Sequence, residues 1–112
     1  MTTFLVKTEN AEKDTVYFEV YYNHDHHNNY IDLEINKHPL TEKYTQMGYS
    51  APVVVASYDK PISKELSRIE EILPNAKKNR KGFPMQYYDL IEKKNKLSLA
   101  ADIIASDSFV VA

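Results

Sequence analysis

Thr15-Val16-Tyr17-Phe18-Glu19-Val20-Tyr21-Tyr22 alternates apolar and polar side chains without a break, a period of two that reads as a β-strand with two unlike faces. Val16, Phe18, Val20 and Tyr22 point one way, and Tyr17, Glu19 and Tyr21 the other. A second alternating stretch, Tyr30-Ile31-Asp32-Leu33-Glu34-Ile35-Asn36, opposes three aliphatic residues to Tyr30, Asp32, Glu34 and Asn36. Together they predict a β-hairpin, joined through residues 23–29, with one oily face and one acidic, tyrosine-rich face. A slip of one residue would turn a whole apolar set into water, so only registers that keep both oily sets on one side are allowed. The two short registers that satisfy this set Glu19 opposite Asp32 or Glu34. Like charges facing each other across a ladder cost roughly a few tenths to 1 kcal/mol. Either water and salt screen the repulsion, or the face awaits a cation.

Working outward, Thr3–Lys7 reads as a short strand followed by a polar turn over Glu9–Asp14. His38-Pro39 ends the predicted third strand, because proline cannot donate to a ladder and restricts the residue before it. Thr41–Tyr49 fits either a short helix or an irregular crossing. Pro52–Tyr58, with Val53, Val54 and Val55 in succession, reads as a buried strand. Ile62, Leu66, Ile69 and Leu73 then fall on one face of a helix that starts near Pro61 and is expected to stop before Pro74. Pro84 suits the first turn of the next helix, with Met85, Tyr88 and Ile91 inward. Leu97, Ala100, Ala101 and Ile104 predict a third helix or a kinked continuation past Asn95. Phe109–Val111 suits a closing strand. Strands first and helices after predict one α+β domain over residues 1–112: a mostly antiparallel sheet of four to five strands, an N-terminal meander, with two or three C-terminal helices packed on one face.

Composition excludes more than it identifies. The chain has 112 residues, enough for a core without staples, and no cysteine, which removes disulfides, thiolate zinc sites and a cysteine nucleophile. The polar N-terminus lacks the apolar core of a secretion signal and no apolar run is of membrane-spanning length, so a cytoplasmic location without membrane contact is expected. Two glycines, Gly48 and Gly82, cannot build a glycine-rich phosphate loop, and no cofactor is expected. Charge is uneven. Residues 1–50 hold four lysines against eight acids, whereas residues 51–112 hold ten basic residues against eight acids.

Four constellations bear on chemistry. His24, His26 and His27, with Asp25 between them, offer donors for zinc or nickel, but a polar loop seldom holds three ligands rigidly, and an exposed titratable turn is the simpler reading. Lys77, Lys78, Arg80 and Lys81, followed by Phe83 and Tyr87, combine cations for phosphates with flat rings for bases. Residues 72–98 carry seven basic side chains against two acids, although the whole-chain pI of about 6.1 is unlike that of a dedicated nucleic-acid binder. Serine, histidine and aspartate occur in no nucleophile elbow, so no catalytic residue is assigned. Lys64 and Arg68, flanked by Glu65, form ordinary helix-surface pairs.

By elimination, the chain is expected to be a small non-enzymatic protein that binds a macromolecular partner. An inhibitor, immunity protein, antitoxin or phage-type antidefence protein fits, with Tyr17, Glu19, Tyr21, Tyr30, Asp32 and Glu34 meeting a partner protein of basic surface. The alternative is a nucleic-acid-binding protein acting through Lys77, Lys78, Arg80, Lys81 and Tyr87. A small nuclease or metal-dependent enzyme comes third. Oligomeric state is not readable from the sequence.

Overall fold

The computed structural model describes residues 2–22 and 31–111. The elements run β1 (Thr2–Glu9), β2 (Thr15–Tyr22), α1 (Ile31–Lys37), α2 (Pro39–Gln46), β3 (Val53–Tyr58), α3 (Ile62–Lys78) and α4 (Pro84–Ile104). They form an α+β fold in which three antiparallel strands take the order β2-β1-β3. Among the described residues the sheet has three strands rather than four or five, and four helices cover both of its faces rather than one.

The strand at Thr15–Tyr22 is present, but its partner is β1, with Val6 opposite Phe18 and Leu5 opposite Glu19. The turn between them is locally encoded. The Asn10 side-chain oxygen accepts the backbone N–H groups of Glu12 at 3.0 Å and Asp14 at 2.9 Å, and Lys13 takes the left-handed conformation at φ 68°. Residues 31–37, expected as the hairpin's second strand, are helical. Ile31 and Ile35 satisfy a helical spacing of four as well as an alternation of two, and both pack on the sheet, while Leu33 faces outward. The expected opposition of Glu19 to Asp32 or Glu34 therefore does not occur.

His38 and Pro39 start a helix instead of ending a strand. His38 is extended, its Nδ1 accepts the Leu40 N–H at 3.1 Å, and Pro39 occupies the first turn, where a missing N–H has no consequence. The Thr41–Tyr49 region is thereby helical to Gln46, then turns at Gly48 with φ 91°.

Adjacent Leu5 and Val6 on the central strand are both fully buried, which requires cover on both sides. Below the sheet, Val6, Phe18, Val20 and Ile35 pack with Val16, Ile31 and Leu40 of β2, α1 and α2. Above it, Leu5, Tyr58, Ile69, Leu97 and Ala100 pack with flanking residues of α3 and α4. Each fully buried large aliphatic or aromatic side chain contributes about 1.5–3 kcal/mol.

The helix at Pro61 does not stop before Pro74 but continues to Lys78. Pro74 lies on an exposed side of α3, so the Glu70 carbonyl that lacks its N–H partner faces water. Helix α4 runs unbroken through Asn95. Phe109 forms only an isolated bridge to the outer edge of β2: the Tyr17 N–H donates to Ser108 O at 2.9 Å and the Val110 N–H to Tyr17 O at 2.8 Å. The molecule measures 51 × 34 × 21 Å with a radius of gyration of 16.4 Å. A compact domain of this length would have about 13 Å. Helices of 17 and 21 residues outrun a three-stranded sheet, whose outer strands lie only about 10 Å apart.

Candidate functional site

Among the described residues, two polar constellations stand out from the fold, one buried and one exposed. The buried one centres on Glu19, whose strand alternation turns it toward the α3 and α4 side. Its Oε2 accepts the Tyr58 hydroxyl at 2.5 Å, and its Oε1 binds the Lys60 ammonium at 2.7 Å. Lys60 also donates to the Tyr21 hydroxyl at 3.4 Å and lies 5.5 Å from the centre of that ring. Burial, and then the bond to Glu19, push the Tyr58 hydroxyl far up; the same carboxylate raises Lys60. Both shifts lead away from neutrality, so neither group exchanges a proton near pH 7. The cluster ties the end of β3 to β2 across β1. Its open side borders a cavity of about 260 Å³ closed by Ile104, Phe109 and Val110.

The residues expected to form an acidic sheet face are therefore separated. Tyr17 is half-buried against the upper core, Glu19 is buried and paired, and Tyr21 is exposed beside Lys60. Asp32 and Glu34 belong to α1, beneath the opposite face. Tyr30 and the histidines His24, His26 and His27 lie outside the described residues. Among those described, no three side chains of histidine or acid type converge as metal ligands.

The exposed constellation is the tip of the α3–α4 hairpin. Core contacts hold only its root, through Ile62, Leu66 and Ile69 on α3 and Leu90, Leu97, Ala100, Ile103 and Ile104 on α4. Beyond these the two helices leave the sheet. At the turn, the N–H groups of Gly82 and Phe83 both donate to the Asn79 carbonyl, at 3.0 and 2.9 Å, and fix a tight reversal. Lys77, Lys78, Arg80 and Lys81 all project into water around it. Phe83, Met85 and Tyr88 are 60%, 69% and 61% exposed, and the half-buried Tyr87 ring meets Tyr88 edge-on at 5.3 Å. Met85 and Tyr88, expected inward, thus face outward. Helical spacing identified them as one side of α4, but nothing in the spacing shows that the sheet ends before reaching them.

Pairing separates the tip from the shaft of α4. Lys93 binds Glu65 at 2.7 Å, Lys96 binds Glu92 at 3.2 Å and Lys94 lies 3.9 Å from Glu70. Arg68 also binds Glu65, at 2.6 Å, as expected for the helix-surface pair. With Arg68 first and Lys93 second, these cations hold the Glu65 carboxyl down at about 2. By contrast, none of the four cations at the tip has an acidic partner among the described residues.

Comparison with protein-family models, with curated proteins and with solved structures gives no match.

Proposed function

We propose that this chain is a binding protein without chemistry of its own, and that its working surface is the hairpin tip, which engages single-stranded nucleic acid. The observation that carries this reading is the conjunction of four cations without an acidic partner among the described residues and three large exposed apolar side chains on a turn that the core does not need. Cations attract phosphates and release their counterions; exposed rings offer stacking platforms for bases, each worth about 1–3 kcal/mol. The net charge of −2 is compatible with this because the basic excess is local to the tip. The acidic side chains first expected to meet a basic protein are split between the two sides of the sheet, which supports that partner less well.

Fluorescence anisotropy with a labelled single-stranded oligonucleotide tests the proposal. Four phosphate contacts give a slope of log affinity against log salt of about −3. Replacing Phe83 and Tyr88 with Ala weakens binding with little change in that slope. Absence of binding at about 50 mM salt rejects the reading.

A further inference from the structure

The two outer edges of the sheet are treated differently. Residues 108–110 cover β2 at Tyr17, whereas the outer edge of β3 has no partner among the described residues. Exposed edges are usually blunted by charge or proline within the strand, and Val53–Tyr58 has neither. Val53 and Val54 are instead 57% and 43% exposed. Val55 is the extra residue of a bulge opposite Leu5 and Val6, which bends β3 and increases its local twist.

Beside this edge runs a groove of about 460 Å³, with Val54–Ser57 on one wall and Asp89, Glu92, Lys93 and Lys96 of α4 on the other. The order of charges along α4 is decisive. Two acids precede two lysines, symmetrically placed about the point between Glu92 and Lys93. If a second α4 lay antiparallel across a two-fold axis at that point, Asp89 would face Lys96 and Glu92 would face Lys93, all with opposite sign. The strand wall has its own midpoint between Val55 and Ala56, in the same groove, and a dimer that pairs both walls takes one two-fold axis through the two midpoints. A two-fold interface must be complementary to itself, and a second copy of this chain meets that condition on edge and helix together.

We propose that two copies pair antiparallel through β3, joining their sheets into one of six strands with α4 against α4. Residues Asp89 and Lys96 act as the register-setting pair. Among the described residues Asp89 has no ion-pair partner, and Lys96 is shared with Glu92.

Sedimentation equilibrium of the full chain, from low micromolar to several hundred micromolar, should show a concentration-dependent rise from 13.0 kDa toward twice that mass. Val54→Lys should hold the protein at monomer mass. Asp89→Lys and Lys96→Asp alone should each weaken self-association at least about tenfold, since each creates like-charge contacts. Mixing these two variants should restore the dimer, because every cross-axis pair is again of opposite sign. Circular dichroism of each variant confirms the fold. The proposal is overturned by a wild-type chain that stays at monomer mass throughout, by an oligomer indifferent to Val54→Lys, or by a mixture no more associated than its components. Because the nucleic-acid tip shares none of these residues, oligonucleotide binding by the Val54→Lys monomer separates failure of this proposal from failure of the functional one.

Discussion

The root and the tip of the α3–α4 hairpin are built from the same two helices yet follow opposite rules. At the root, Ile69, Leu97 and Ala100 are sealed against the upper face of the sheet, and nearby cations at Arg68 and Lys93 converge on one glutamate. At the tip, rings stand in water and the cations have no acidic partner among the described residues. The hairpin is thus anchored at one end only: folding draws on the root, and the proposed contact with nucleic acid on the tip.

Leu97 is the most sensitive position of the root. Truncation to Ala there should cost about 2–5 kcal/mol in a denaturant titration, whereas Phe83→Ala at the tip should stay within about 0.5 kcal/mol. A comparable loss at Phe83 would mean that the tip is part of the core.

A sharper test uses the other buried tie. Tyr58→Phe leaves one Glu19 oxygen without its donor and should lower stability by about 1–3 kcal/mol, with oligonucleotide affinity unchanged. Loss of binding without loss of stability would move the working surface to the sheet.

Neutralising Lys77, Lys78, Arg80 and Lys81 together with Gln should reverse that pattern. Stability should hold, and the salt slope of oligonucleotide binding should fall by about 3.

Acidification provides the smallest effect. His38 lies beside Phe18 at 5.0 Å between ring centres, and burial lowers its basicity. Its Nδ1 must be unprotonated to accept the Leu40 N–H. The unfolded chain therefore binds this proton more readily than the folded one, and the stabilisation is complete above about pH 6.5 and lost as pH falls through the lower folded value. His38→Asn, which keeps a capping oxygen, should flatten this step by about 1 kcal/mol or less. Equal pH profiles for the two proteins would show that the cap does not titrate.

Much of this architecture is legible residue by residue, because local signals decide it. The turn over Glu9–Asp14, the three strands that do form, and the starts of α3 and α4 at Pro61 and Pro84 all follow from side chains within a few positions of each other, whereas β3, expected buried, lies at the sheet edge with Val53 and Val54 exposed. Residues 31–37 mislead because seven residues with isoleucine at positions 31 and 35 fit both periods, and the choice rests on distant segments: β1 pairs with one side of β2, and residues 108–110 meet the other at Tyr17. Glu19 misleads for the same reason: its true partners, Tyr58 and Lys60, are 39 and 41 positions away. The basic residues at the tip are plain in the sequence, whereas the exposure of Met85 and Tyr88 depends on where a small sheet runs out.

The one-sided anchoring of α3 and α4 also bears on how the chain can change over generations. Substitutions near the stability threshold are purged when they loosen a fold. The residues from Lys77 to Tyr88 add little to that total, so they are free to drift and be re-selected for a new binding preference. A saturation library read separately for abundance and for oligonucleotide binding should show these positions permissive in the first measure and restrictive in the second. The hairpin tip is in this sense an adaptable module carried on a buried stem.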